Sequence, residues 1–300
     1  MKVLLTGGSG FVGRMTIAPM VEAGVDLHVL ARGKADENSG GTWHRADLLN
    51  ADETRSIVAS LKPDVILHLA WCVEHGRFWN DPANLDWVAA TLNLARAAAE
   101  AGASRLVGVG TCYEYDWPAA GDCRESVTPL RAHTLYDAAK DASRRILEMF
   151  CADREMSFAW ARLFFLYGPG ENQARLVSSV ASSLVRGNEA NVSRGLAVRD
   201  FMDVRDAGAA LAKLALSRMT GAINIASGES VRISDLVLKM GDLAGCSDLI
   251  NIGALPDRLG EPPRIVADTR RMREELRFRT SVGMEQGLRD ALSYWRARLT

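Results

Sequence analysis

TGGSGFVGR, residues 6–14, ends a short apolar run, KVLLT (2–6), and opens a helix-like stretch that continues to about residue 23. Gly7, Gly10 and Gly13 recur at three-residue spacing. Such glycines permit a tight turn, a close backbone approach to a pyrophosphate, and close packing of helix on strand, while the helix N-terminus favours negative charge. A strand, then this turn, then a helix predicts a dinucleotide site, with Gly7, Ser9, Gly10, Phe11, Val12, Gly13 and Arg14 along the cofactor.

The same rhythm continues outward. VDLHVL (25–30), a helix near 51–61, DVILHLA (64–70), a helix over 83–102, RLVGVG (105–110), a helix near 134–152 and MSFAWARLFFL (156–166) follow in turn. Nearly unbroken apolar strands separated by helices predict an α/β, doubly wound parallel sheet of Rossmann type. After residue 166 the rhythm weakens, and YGPGENQ reads as a turn. The expected division is a dinucleotide-binding domain over 1–166 and a smaller substrate-binding lobe over 167–300. Segments near 195–226 are expected to return to the first domain.

The 300 residues carry 36 basic and 37 acidic side chains, a net charge of -1, with 48% hydrophobic residues. Such a chain is globular and presents no field for nucleic acid or an anionic membrane, so neither partner is expected. Five cysteines without a CxxC pair predict neither a disulfide framework nor a zinc site, and no metal is expected. They fit a reducing cytoplasm. No apolar run is long enough for a signal peptide or a membrane span.

Where an NAD site places an acid on the ribose 2′-hydroxyl, HVLARGK (28–34) offers Ala31 followed by Arg32. Without the carboxylate a 2′-phosphate is not repelled, and arginine pairs well with phosphate. NADP is therefore expected, with NAD as the alternative, and Arg14 is a second candidate for that phosphate.

LYDAAK (135–140) sets Tyr136 and Lys140 four apart on one helical face. Together with TGGSGFVG, ADL (46–48), HLA (68–70), GVGTCYEY (108–115), RLFFLYGPG (162–170), RDFMDVRDAG (199–208) and INIASGE (223–229), this segment resembles the extended short-chain dehydrogenase/reductases. The resemblance is to their NAD(P)-dependent epimerase/dehydratase family acting on nucleotide sugars, and it covers nearly the whole chain. It implies that Asp47 and Leu48 lie beside the adenine, that Leu69, Ala70 and Val109 line the cofactor, and that Phe164 is near the nicotinamide. It also implies catalysis by Tyr136, Lys140 and Thr111. A tyrosine titrates near pH ~10, so bringing its proton into neutral chemistry takes about three units, or roughly 4 kcal/mol. A cation about 4 Å away supplies ~4 kcal/mol at an effective dielectric near 20 but only ~1 in water, so the expected pair works only where water is excluded. By the same resemblance Arg199 and Arg258 grip a substrate diphosphate, and a homodimer forms through the helices near 85–101 and 134–152.

Several positions depart from the family pattern. The acid pair that follows the active-site Thr in sugar-nucleotide dehydratases is Cys112 and Tyr113 here, which disfavours elimination of water. Cys112 is expected to line the substrate pocket, and Glu114, on an extended segment, to point away from Tyr113. The Asn expected after the sixth strand is Phe165, and the Asn of the helix after the fourth strand is Trp87. In WCVEHGRFW (71–79), Trp71, His75 and Trp79 fit pocket lining and packing equally, and His68 reads as a buried strand residue. The leading expectation is an NADPH-dependent reductase of a nucleotide-linked 4-keto-6-deoxy sugar. The rivals are a nucleotide-sugar C4 epimerase holding NAD tightly and a non-catalytic NAD(P)-sensing regulator. A steroid or flavanone reductase would leave Arg199 and Arg258 without a diphosphate.

Overall fold

The computed structural model describes residues 1–33, 39–117 and 121–299; Lys34, which ends the HVLARGK segment, lies outside them. The first half alternates as expected: β1 (Lys2–Thr6), α1 (Arg14–Glu22), β2 (Asp26–Ala31), β3 (Thr42–Arg45), α2 (Ala51–Leu61), β4 (Val65–His68), α3 (Ala83–Glu100), β5 (Arg105–Thr111), α4 (Leu135–Asp153) and β6 (Ser157–Leu163). Beyond them come β7 (Phe165–Tyr167), α5 (Leu176–Val185), β8 (Ala190–Val192), β9 (Val198–Arg199), β10 (Phe201–Asp203), α6 (Val204–Leu216) and β11 (Gly221–Ile225). The chain closes with β12 (Val231–Arg232), α7 (Ile233–Ala244), β13 (Ile250–Ile252), β14 (Arg264–Ile265) and α8 (Met284–Leu299).

Seven parallel strands form the central sheet in the order β11-β6-β5-β4-β1-β2-β3. Strand order reverses between β1 and β4, and in such sheets the crevice beyond the carboxyl ends at that point receives the ligand. Side chains alternate across the sheet, and β1 makes the division explicit. Val3 and Leu5 join Ile17 and Met20 of α1 and Leu211 of α6 in one core layer. Leu4 joins Val58, Leu94 and Leu147, from α2, α3 and α4, in the other. α6 packs directly on α1, and β11 pairs with β6 in register from Gly221↔Ala159 to Ile225↔Leu163. Residues beyond 200 thus complete the sheet and one of its covering layers. The smaller lobe gathers α5, α7 and α8 around Val177, Leu236, Leu288 and Trp295.

Two elements differ from expectation. Thr42–Arg45 is a strand on the outer edge of the sheet, although TWHR carries little apolar pattern. MSFAWARLFFL is two strands rather than one. The Phe164 amide bonds to the Ile225 carbonyl and the Phe165 amide to that of Asp200, so the chain leaves β6 and pairs β7 with β10. The carboxylates of RDFMDVRDAG explain this second sheet. Asp200 accepts from the amides of Ser227, Gly228 and Ala267, Asp203 caps α6 through the Arg205 amide, and Asp206 accepts from the amides of Ser281 and Val282.

Candidate active site

The cofactor turn follows β1 with no spare room. Gly7 has φ +73°, and a Cβ there would stand 2.7 Å from the Ala70 nitrogen; at Gly13 it would stand 2.1 Å from the Gly7 carbonyl oxygen. Gly10 differs, since a Cβ would meet only that oxygen at 3.2 Å and otherwise open space. Ser9 and Gly10 are exposed, and Phe11 and Val12 are half-buried beside them. The buried Nε of Arg14 has no hydrogen-bond partner among the described residues. A bare backbone face, a helix N-terminus and an unmatched guanidinium donor together fit a dinucleotide's phosphates.

Arg14, the second candidate for a 2′-phosphate, is tethered within the chain. The Arg14 guanidinium donates to the Pro169 carbonyl at 3.0 Å and lies 5.7 Å from the Phe11 ring centre. Pro169 follows β7, which pairs with β10 outside the central sheet. Arg32 is exposed directly after β2. Ala31 ends that strand, so no carboxylate stands there. Asp47 orders its own turn by accepting from the Leu49 amide at 3.1 Å, and Leu48 is buried against the sheet. Leu69 and Ala70 leave β4 beside Gly7, bonded to the Thr6 carbonyl and hydroxyl.

Thr134 begins α4 with a reciprocal cap on Asp137, which sets Tyr136 in the first turn and Lys140 one turn later. The Tyr136 amide donates to the Trp79 carbonyl at 2.9 Å. The phenol ring is edge-on to Phe78 at 4.9 Å, Trp79 at 6.0 Å and Trp71 at 6.4 Å between ring centres. WCVEHGRFW thus supplies an aromatic wall around Tyr136, with Tyr113 against Trp79 at 4.7 Å. Lys140 donates to the Val109 carbonyl at 2.9 Å, and its Nζ lies 3.8 Å from the centre of the Trp71 ring. Burial pushes this ammonium down to about 7, with the Glu114 charge opposing. Without a bound cofactor, burial first, then Glu114, Asp137 and Cys112, push the Tyr136 phenol well above its ordinary value.

Thr111 ends β5, and its hydroxyl accepts from the Tyr113 amide at 3.3 Å. The segment behind it is not extended: Cys112–Glu114 is a 3₁₀ turn that folds the Glu114 carboxylate back beneath Thr111. Cys112 does not line a pocket. It is buried with Tyr115, Cys123 and Phe164, and burial pushes its thiol up, which favours the protonated form. Phe164 belongs to the same cluster, whereas Phe165 lies against Tyr113 and carries the Arg199 guanidinium 5.4 Å above its ring centre.

Arg199 is 2% exposed and paired with Glu261 at 3.0 Å, on the same loop as the exposed Arg258. Burial raises the Tyr113 phenol against the opposing charges of Arg199 and Arg258, and burial, then Arg175 and Arg258, push His75 down. His68 sits between the Thr6 hydroxyl at 2.7 Å and the Thr91 hydroxyl at 2.9 Å; burial, then Lys140, push it down to about 3 and keep it neutral. Trp87 is core, but Asn84, one turn earlier on α3, accepts from the Trp71 indole at 2.9 Å and donates to the Phe78 carbonyl at 2.7 Å, shaping the loop above Tyr136. Asn84 escaped the sequence reading, as did the pairing of Glu114 with Arg162; the signal for the second lay in the glycines of RLVGVGT, where Gly110 leaves space for Glu114 and Trp160 and Gly108 for Trp160.

No cluster of metal ligands is found among the described residues, all five cysteines are free, and no described helix is long and apolar enough to cross a membrane. The chain is 27% identical to the GDP-6-deoxy-D-mannose reductase of Pseudomonas aeruginosa, covering 99% of this chain and 98% of that one. It is also 27% identical to the UDP-glucose 4-epimerase of Mycolicibacterium smegmatis, covering 99% of each. The solved UDP-glucose 4-epimerase of Thermus thermophilus, in complex with NAD, superimposes with a TM-score of 0.87 over 99% of both chains at 22% identity. With residues 3–226 matching the family model as well, the chain belongs to the NAD dependent epimerase/dehydratase family, whose members are NAD(P)-dependent enzymes of sugar nucleotides.

Proposed function

We propose that this chain is an NADPH-dependent reductase of a nucleotide-linked 4-keto-6-deoxy sugar. The observation that carries the reading is the end of β2, where Ala31 and exposed Arg32 stand in place of an acid. An acid there would repel a 2′-phosphate, whereas arginine attracts it. A reductase consumes reducing equivalents, for which NADPH is the usual cellular supply. An epimerase returns the hydride it removes and retains its cofactor. The pair Cys112 and Tyr113, a buried thiol and a half-buried phenol, supplies no carboxylate acid and base for dehydration.

The residues have separable tasks. The turn over Gly7 to Gly13 would hold the pyrophosphate, Arg32 the 2′-phosphate, Asp47 and Leu48 the adenosine end, and Leu69, Ala70, Val109 and Phe164 the rest of the dinucleotide. When bound, the nicotinamide supplies the hydride. Tyr136 donates a proton to the ketone oxygen, Thr111 hydrogen-bonds that oxygen, and Lys140 anchors the ribose and stabilises the phenolate left behind. Arg199, released from Glu261, and Arg258 meet the diphosphate. The aromatic wall of Trp71, Phe78 and Trp79 excludes water, the condition under which the lysine charge acts strongly. Exposed Leu85, Ile146 and Met149 on α3 and α4 support a homodimer, and five free cysteines fit a reducing cytoplasm.

One observation favours a second reading: a UDP-glucose 4-epimerase matches the chain as well as the reductase does, and a C4 epimerase would use the same Tyr136, Lys140 and Thr111. The test is to denature the purified protein, identify any released dinucleotide by mass spectrometry, and titrate the emptied protein with NADPH and NADH. An empty or NADP-loaded site with a preference for NADPH is the expected result, followed by oxidation of NADPH on adding nucleotide-linked 4-keto-6-deoxy sugars. Tightly held NAD would overturn the reductase reading in favour of the epimerase. A Tyr136→Phe protein with every activity intact would leave a cofactor-sensing regulator.

A further inference from the structure

Glu114 has no part in the chemistry above, yet its carboxylate is 1% exposed and every bond it makes converges behind Thr111. Its Oε1 accepts from the Thr111 amide at 3.0 Å and the Trp160 indole at 3.0 Å, and its Oε2 accepts from Arg162 Nε at 2.7 Å. The sequence makes room for it. A Cβ at Gly110 would stand 2.1 Å from the Glu114 oxygen and 2.1 Å from the Trp160 nitrogen, and one at Gly108 would stand 2.4 Å from the Trp160 ring. Arg162 continues the network to the Tyr115 hydroxyl at 3.0 Å, which donates to Asn224 of β11 at 2.7 Å.

A buried ion pair is a poor way to stabilise a core, because desolvation cancels much of the attraction and apolar residues of similar size often serve better. This pair has a more specific geometry. The two-way cap between Thr111 and Glu114 fixes the backbone on which the Thr111 hydroxyl is mounted. The same charge also lies close enough to Tyr136 and Lys140 to bear on both. Lys140 faces Glu114 from the turn, His68 from β4 and Tyr136 from its own helix. Tyr136 faces Glu114 and Cys112 from the turn, Asp137 from its own helix and Arg175 from the start of α5. His68 is neutral and Cys112 protonated, which leaves Glu114 as the negative charge that reaches both groups.

We propose that Glu114 is a positioning residue of the active site: its carboxylate clamps the turn that presents the Thr111 hydroxyl and holds a fixed negative charge behind Tyr136 and Lys140. A negative charge there keeps a proton on each, which is the state in which a ketone reduction begins. The inference rests on the assignment of Thr111, Tyr136 and Lys140 as the reacting trio.

Two substitutions separate the two tasks. Glu114→Gln removes the charge, and the alkaline limb of the kcat profile, together with that of NADPH affinity, is expected to move down by about one pH unit. Glu114→Asp keeps the charge and the Arg162 pairing but shortens the reach to the Thr111 amide; its alkaline limb stays, while kcat falls roughly tenfold with KM little changed. Should Glu114→Gln fail to fold, the double variant Glu114→Gln with Arg162→Met leaves no unpaired buried charge and is read the same way. A folded Glu114→Gln protein with the wild-type alkaline limb and kcat overturns the proposal. NADPH binding needs no sugar, so this failure is distinct from failure of the functional reading, in which the wild-type chain itself neither binds NADPH nor reduces a keto sugar.

Discussion

The Lys140 ammonium rests 3.8 Å from the centre of the Trp71 ring, inside an aromatic wall rather than in water. An indole face attracts a cation but replaces only part of its hydration, so burial dominates and Lys140 is pushed down to about 7. The unfolded chain keeps that proton to about pH 10.4. Between these values the unfolded state binds more protons, so the stability of the cofactor-free protein rises from pH 7 to 10, and below 7 the cost of the buried charge is fully present. Lys140→Met is expected to raise Tm at pH 7 by a few degrees and to flatten the slope between pH 7 and 10. Thermal melts at a series of pH values check this.

Tyr136→Phe removes the proton donor and keeps the ring that packs against Phe78 and Trp79. Turnover is expected to fall by roughly 10²–10⁴-fold, the usual contribution of a positioned general acid. NADPH affinity and Tm stay close to wild type. Steady-state assays alongside cofactor titrations separate this loss from loss of binding.

Ala31→Asp restores an acid at the end of β2, beside Arg32. A carboxylate repels a 2′-phosphate and accepts from a 2′-hydroxyl, so the preference for NADPH over NADH is expected to shrink by roughly 100-fold, about 2.7 kcal/mol. Fluorescence titration with both cofactors reads the ratio.

The glycines of the cofactor turn do different work. A methyl at Gly13 would lie 2.1 Å from the Gly7 carbonyl oxygen and 2.9 Å from the Gly8 Cα, both backbone atoms that cannot yield. Gly13→Ala is expected to destabilise the fold by about 3 kcal/mol. Gly10→Ala meets that oxygen at 3.2 Å and little else, so it should fold with near wild-type stability. The added methyl then covers the face a pyrophosphate approaches, and dinucleotide affinity is expected to fall at least tenfold, about 1.4 kcal/mol. Urea unfolding and cofactor titration of both variants test the contrast.

Glu171, buried after the YGPG turn, accepts from the Ser178 hydroxyl at 2.8 Å, and burial pushes it up to about 7. Its folded-state value is raised, so the folded state binds more protons than the unfolded state above pH ~4.3. The associated stability is present below that pH and is lost as pH rises through 7. Glu171→Gln is expected to stabilise the protein at pH 8 and to change little at pH 4. Urea midpoints at the two pH values decide it.

The parallel sheet and the glycine turn at the end of β1 were legible because their signals are local. KVLLT needs only its own apolar pattern, the glycine turn only its own spacing, and Tyr136 and Lys140 only a helix that begins at Thr134. What escaped depends on partners remote in sequence. The turn at Cys112–Glu114 is settled by Arg162, 48 positions away, and Arg14 reaches Pro169, 155 positions away. The break at Phe164 falls within an unbroken apolar run and is dictated by hydrogen bonds to Asp200 and Ile225. β3 is an edge strand with one neighbour, so it carries no buried two-faced pattern to read.

The placement of β11 and α6 bears on how the chain reaches this state. A nascent chain that stops at residue 166 has made six of the seven strands of the sheet, but one edge, along β6, is unpaired and the α1 layer lacks its neighbour α6. Val107, Ala159 and Ala161 belong to the layer that α6 and β11 complete. During synthesis that surface stays exposed until about sixty more residues have left the ribosome, a wait of roughly 3–12 s at 5–20 residues per second. The interlaced connection therefore makes the first 166 residues dependent on α6 and β11 to complete their sheet and core, and release of the chain before β11 leaves an unpaired sheet edge exposed.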